Sequence, residues 1–198
     1  MRRLAVGCGL ALVAVVALLL LGMVAVIGAL LPSLPNGFSS AAGGVAAGRP
    51  CAHPLETQGY RPGPGAFEPN HTGIDFVCLG DLTIVAVLPG TVVVADDGPC
   101  PDTYASGLRV FGCNVVVETT LDGRELFLRY GHLTQGSLDV LAGERVQAGA
   151  ALGTEGASGF ATGTHVHFEV DLGAPSTADC IDPVPYLDPA IVRCPCNG

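Results

Sequence analysis

The chain has 198 residues, with 18 acidic residues against nine basic ones, all arginine, for a formal net charge of -9. That balance excludes a nucleic-acid binder, because phosphate contacts need a basic face. With 28 glycines, 15 prolines and 14% charged residues a coiled coil or long helical bundle is excluded, and an apolar content of 49% excludes intrinsic disorder.

Residues 4–31 carry no charge in 28 positions. About 20 apolar residues span a bilayer as a helix, whereas the apolar region of a signal peptide runs about 7–15 residues and ends at small residues. An uncleaved membrane anchor over 1–31 is therefore expected, with a signal cleaved near Ala41-Ala42-Gly43-Gly44 as the alternative, which would leave a secreted protein. Val6-Gly7-Cys8 resembles a lipoprotein processing site but precedes the apolar run, and is set aside. Arg2 and Arg3 stand just before the run and the next basic residue is Arg49. This asymmetry puts the N-terminus in the cytoplasm and the rest outside. The outer part holds seven arginines against all 18 acids, a balance of -11.

Residues 32–50 are small, nearly uncharged and rich in Gly, Ala, Ser and Pro, and read as a flexible spacer with a mean reach of only ~25 Å. The folded domain then occupies 51–198, long enough to bury a real core. It contains Cys51, Cys78, Cys100, Cys113, Cys180, Cys194 and Cys196. No pair has CxxC spacing, so a zinc ribbon has little support, and disulfides in an oxidising compartment are expected. Cys100 and Cys113 bracket one loop and could close it. The remaining pairing is open, and an odd count leaves at least one thiol outside it.

The periodic signal in this domain is β. Leu82–Leu88 and Thr91–Ala95 flank Pro89-Gly90, and Val115–Thr119 and Glu125–Tyr130 flank a segment containing Asp122-Gly123, a strong hairpin signal. Short strands follow at Arg145–Val146 and Ala151–Leu152, and His165–Val170 alternates. Outside the anchor no stretch shows an apolar period of 3.6 over a helix length. The expected fold is all-β and mostly antiparallel, a two-sheet sandwich or partly open barrel.

Three short motifs carry chemistry. In His165-Val166-His167 the two rings share one strand face, about 7 Å apart, which suits a metal ligand and a neighbouring acid or base. His71-Thr72-Gly73-Ile74-Asp75 offers two zinc-ligand types. Tyr130-Gly131-His132-Leu133 places a histidine just beyond an apolar strand. Taken singly, each also has a plain reading: an incidental pair, a loop hydrogen bond, a capped strand end. His53, beside Cys51 and Pro54, matches no motif and reads as a surface or packing residue.

Together, and in this order within one β domain, the motifs resemble a zinc metallopeptidase of the lysostaphin/LytM type. The resemblance covers roughly Pro54 to Pro189 and includes Ile84–Val92, Val146–Gly149, Leu152-Gly153 and Asp182–Leu187. It implies that His71, Asp75 and His167 bind one zinc ion, and that His132 and His165 are catalytic and flank the attacking water. Which of the two accepts and which donates a proton stays open. Tyr130 either adds a hydrogen bond near the site or packs. Asn70 stands where the family often has a basic residue, and Gly156–Thr164 is less regular than the usual Gly/Ser/Thr-rich turn, which touches the groove rim rather than the zinc. Asp96–Gly112 looks like an elaboration of that rim. Asn70-His71-Thr72 fits a glycosylation acceptor, but a glycan there would obstruct the site. The implied function is a membrane-tethered endopeptidase acting on peptidoglycan peptides at the outer face of a bacterial plasma membrane. The alternatives are a catalytically silent or latent binding and activator module of the same fold, and a peptidase of glycine-rich secreted proteins.

Overall fold

The computed structural model describes residues 38–39, 47–61, 70–100 and 110–192. The expected anchor over 1–31 and most of the spacer lie outside those residues. Among the described residues no helix is long and apolar enough to cross a membrane.

The strands are β1 (Phe38–Ser39), β2 (Pro54–Gln58), β3 (Ile74–Cys78), β4 (Thr83–Val85), β5 (Gly90–Asp96), β6 (Cys113–Leu121), β7 (Arg124–Leu133), β8 (Arg145–Val146), β9 (Ala151–Thr154), β10 (Val166–Leu172) and β11 (Cys180–Ile181). Among the described residues, nine form one sheet in the order β1-β8-β5-β6-β7-β10-β3-β2, with β11 beside β10. The pairings within it are antiparallel except β1 with β8. β4 and β9 form a separate two-stranded ribbon. The antiparallel β architecture is the expected one, with a single broad sheet and a small ribbon in place of two comparable sheets.

The β6–β7 hairpin closes on Asp122 and Gly123, whose φ of 51° and 75° suit the two-residue turn that Asp-Gly favours. Pro89-Gly90 behaves differently. It is a corner between sheets, because β4 pairs with β9 while β5 pairs with β6 and β8. Val85, Ala86 and Val87 are all fully buried, so this run crosses the core instead of lining one face of a hairpin.

Side-chain alternation divides the broad sheet. Val115 and Val117 of β6, Leu126, Leu128 and Tyr130 of β7, and Val166, Phe168 and Val170 of β10 are completely buried. They join Ile74 and Phe76 of β3 and the ribbon residues Ile84 and Leu152 in one core. The opposite face carries Asp75, Asn114, Arg129, His167, Glu169 and Asp171. Two disulfides brace this frame, Cys51–Cys78 at the end of β3 and Cys100–Cys113 at the start of β6. Cys180 belongs to neither, and Cys194 and Cys196 lie outside the described residues.

Tyr130 faces the core. Its hydroxyl accepts the Val87 N–H at 2.7 Å, and both residues are fully buried. Of the two roles left open by the sequence, packing is the one seen. Tyr130→Phe strands a buried donor, so the unfolding free energy in urea should drop by about 1–3 kcal/mol. Zinc affinity, measured on the same sample by chelator competition, should not move.

Candidate active site and metal centre

Strand register builds the centre. β10 runs between β7 and β3, with His167 opposite Gly131 on one side and Asp75 on the other. A carboxylate and an imidazole are thus a cross-strand pair on the face away from the core. His71 arrives from the turn before β3. That turn begins at Asn70, at φ 87°, a conformation asparagine tolerates better than most residues. Gly73 is required by contact: a Cβ there would lie 2.7 Å from His167 Nε2 and 2.4 Å from the Phe168 carbonyl oxygen.

Three donor atoms converge. His71 Nε2 lies 3.0 Å from Asp75 Oδ1 and 3.1 Å from His167 Nδ1, and His167 Nδ1 lies 2.9 Å from Asp75 Oδ1. All three residues are buried. The outward nitrogen of each ring is already engaged: His71 Nδ1–H donates to the Gly59 carbonyl at 2.9 Å, and His167 Nε2 faces Glu169 Oε2 at 3.4 Å. With those N–H groups turned outward, three lone pairs meet at about 3 Å. Such a meeting is stable only around a cation, a proton or a metal. Two imidazoles and one carboxylate with a fourth side open are the donor set of a catalytic zinc ion, and the spacing is within a few tenths of an ångström of the ~3.3 Å expected for tetrahedral bonds of 2.0–2.1 Å. The residues present fit zinc.

The electrostatics agree. Burial alone would raise the Asp75 carboxyl, but hydrogen bonds from His167 and His71 outweigh it and hold the group well below the usual carboxylate range. Burial would lower His167, but hydrogen bonds to Asp75 and Glu169 push it up to about 9. Both shifts describe a place that favours positive charge.

His132 and His165 stand beside this cluster. Continued alternation after Leu128 and Tyr130 would send position 132 into the core. Instead His132 has φ 61°, and its N–H donates to the Phe111 carbonyl at 2.7 Å. Its ring lies 4.6 Å from that of His165 and 5.9 Å from that of His167. His132 Nδ1–H donates to the Ser158 carbonyl and His165 Nδ1–H to the Gly163 carbonyl, each at 2.8 Å. Carbonyls only accept, so both rings in their neutral form keep Nε2 free of a proton. Burial, then the nearby His165, lowers His132 to about 3. His165 Nε2 is 3.7 Å from Asp75 Oδ2.

All five residues line one cleft of ≈ 670 Å³. Its other walls are uncharged: Val110, Phe111 and Phe160 are apolar, and Gln58, Asn70 and three threonines are polar. Phe111 and Val110 come from the loop at Asp96–Gly112, in keeping with its reading as a rim. His53 is exposed and stands apart from the cleft.

Sequence reasoning missed the support behind His167. Glu169 and Asp171 follow at the same two-residue period and are completely buried, and Arg129 lies opposite Glu169 on β7. Burial would raise Glu169, yet hydrogen bonds from His167 and Thr72 hold it down, while burial and the Glu169 charge push Asp171 up. The alternating H-x-H-x-E-x-D run was the available signal.

The family model described as peptidase family M23 matches residues 69–180. The chain is 30% identical over 133 residues to the glycyl-glycine endopeptidase ALE-1 of Staphylococcus capitis, covering 67% of this chain and 33% of that protein. It is 28% identical over 133 residues to lysostaphin of Staphylococcus simulans, covering 67% of this chain and 24% of that protein. It therefore spans a third or less of the length of these curated relatives. Among solved structures, the catalytic domain of lysostaphin from Staphylococcus simulans matches with a TM-score of 0.54 at 26% identity, over 67% of this chain and 91% of that one. A mutant catalytic domain of the prophage-encoded M23 protein EnpA from Enterococcus faecalis matches with a TM-score of 0.54 at 28% identity, over 69% and 94%.

If the converging atoms hold zinc, the purified chain should bind one ion. His71→Ala should weaken binding at least ~100-fold, beyond the ~10–100-fold that follows loss of an outer hydrogen-bond partner. Competition with a chromophoric chelator measures both, and an unchanged affinity in the variant would remove His71 from the ligand set.

Proposed function

The chain belongs to peptidase family M23, and from that premise we propose that it is a zinc-dependent endopeptidase that hydrolyses amide bonds in peptidoglycan stem or cross-bridge peptides. The observation that carries this reading is the meeting of His71, Asp75 and His167 at about 3 Å, with two further histidines on the same cleft. In this reading His71, Asp75 and His167 are the zinc ligands, and His132 and His165 are the catalytic residues. Bound zinc supplies Lewis-acid polarisation of a carbonyl and lowers the pKa of water toward about 7.

The side chains divide the remaining work. His132 stays neutral because burial disfavours its charged form. With Nδ1–H fixed on the Ser158 carbonyl, its Nε2 accepts a hydrogen bond from the attacking water and orients it. His165 turns Nε2 toward the same cleft, 3.7 Å from Asp75 Oδ2. As the water oxygen bonds to the carbonyl carbon, its proton passes to His165 Nε2, and His165 delivers it to the departing amine nitrogen as the C–N bond breaks. Apart from the site residues, the cleft walls are uncharged and suit a peptide backbone with small neutral side chains. The glycyl-glycine activity named for the staphylococcal relative supports that substrate class.

The proposal extends to placement. Residues 1–31 serve as the membrane anchor and 32–50 as the spacer, which holds the domain at 51–198 on the outer face of the plasma membrane. Phe38–Ser39 pair with β8, and Gly48 and Pro50 bond to the domain, so the free length is shorter than 32–50 and confines the domain to wall near its own membrane. The charge of -11 outside gives no attraction to an anionic wall, so capture rests on the cleft.

The test is a digest of purified peptidoglycan by the zinc-loaded full-length chain, read by mass spectrometry. New peptide ends should appear and should vanish with a chelator and with His71→Ala. His132→Ala should lower kcat by about 10²–10⁴-fold while keeping one zinc per chain. No new ends from zinc-loaded chain with both disulfides intact would overturn the reading.

A further inference from the structure

We infer that Arg129 is a positioning residue for the metal centre, holding the Glu169 carboxylate so that His167 presents Nδ1, and joining that support to the groove walls. The inference rests on the reading that His71, Asp75 and His167 hold zinc. Glu169 and Asp171 are both 0% exposed and lie on the same strand face as His167. Two carboxylates so placed repel each other, and burying them together out of water requires a cation or a shared proton. Among the described residues, the cation set against both is Arg129, which the register places opposite Glu169.

The guanidinium forks toward both carboxylates at ion-pair distance, with no hydrogen bond to either. Nε lies 3.5 Å from Glu169 Oε1 and Nη2 lies 3.7 Å from Asp171 Oδ2. Nη1 donates to Asn114 Oδ1 at 3.2 Å and Nη2 donates to the Pro175 carbonyl at 3.0 Å. The group also sits 4.5 Å above the Phe111 ring, which in turn lies 5.4 Å from the His167 ring. Phe111 and Thr177, two residues after Pro175, both line the cleft.

The division of the Glu169 oxygens is the central point. Arg129 faces Oε1, which leaves Oε2 to face His167 Nε2. That contact keeps the Nε2–H outward and the Nδ1 lone pair toward Asp75 and His71. Without Arg129, Glu169 and Asp171 push apart, Oε2 leaves His167, and the imidazole loses the partner that sets its orientation. A lysine cannot replace the fork, because one ammonium cannot reach all of these acceptors.

The experiment measures zinc affinity of the full-length chain by chelator competition, with the visible spectrum of the cobalt-substituted protein as a report on ligand geometry. Parent, Arg129→Met, Asp171→Asn and the double variant are compared, with apo-protein thermal midpoints alongside. Arg129→Met should weaken zinc binding ~10–100-fold and alter the cobalt bands. Adding Asp171→Asn to Arg129→Met removes the repulsion and should recover most of both losses, which a merely structural role would not produce. A parent that binds zinc with Arg129→Met within about twofold of it would overturn this inference alone, as would a double variant no better than the single one. A parent that binds no zinc would overturn the metal reading and this inference with it. Should Arg129→Met fail to fold, Arg129→Lys decides: a loss of at least about threefold is expected, and none overturns the proposal.

Discussion

The pairing of β3 with β10 is the constraint on which the rest depends. Asp75 opposite His167 sets a carboxylate oxygen and a ring nitrogen 2.9 Å apart, and the same register puts Ile74, Phe76, Val166 and Phe168 into the core. Side chains alternate along a strand, so a slip of one residue would exchange the two faces. Correct core packing therefore selects correct site assembly. Burying large apolar side chains contributes about 1.5–3 kcal/mol each, more than a single polar contact does, so the apolar face does the selecting.

The other face of the sheet collects negative charge. Asp75, Glu169 and Asp171 are buried there, with Arg129 as the resident cation, in a chain that is acidic overall. Buried carboxylates need partners. Arg129 answers the Glu169–Asp171 end, and His167 is drawn between Glu169 and Asp75. The Asp75 end is met by two rings whose other nitrogens are already engaged. Demand for a cation is thus concentrated at one point of the cleft by the arrangement of the acids, and the same arrangement turns the ligand rings.

Much of this was legible in sequence. The β strands showed their alternation, Asp122-Gly123 marked the hairpin, and the three histidine motifs named the five residues that gather on one cleft. Other features were hidden for identifiable reasons. Pro89-Gly90 has the composition of a hairpin turn, but the continuous burial of Val85–Val87 decides for a corner between sheets, and burial is a tertiary property. Tyr130 sits one residue from a site glycine, yet alternation turns it to the core. Arg129, Glu169 and Asp171 fall in no motif, because the partner that gives them meaning lies across a β7–β10 register that periodicity alone does not supply.

His132 is the sharpest case, since strand periodicity predicts the wrong face for it. Its left-handed backbone costs on the order of 1–3 kcal/mol unless the surroundings over-determine it. Three contacts do so. The Phe111 carbonyl takes its N–H, the Ser158 carbonyl takes its ring N–H, and the Ser158 hydroxyl is held between the Cys113 N–H and the Leu133 carbonyl. Phe111 and Cys113 belong to the segment closed by the Cys100–Cys113 disulfide. That bridge lies outside every motif that marks the site, but it anchors the carbonyl and the amide that hold His132 turned toward His165. The rim loop therefore does more than shape the groove. It supplies part of the backbone frame that makes a strand residue available for chemistry.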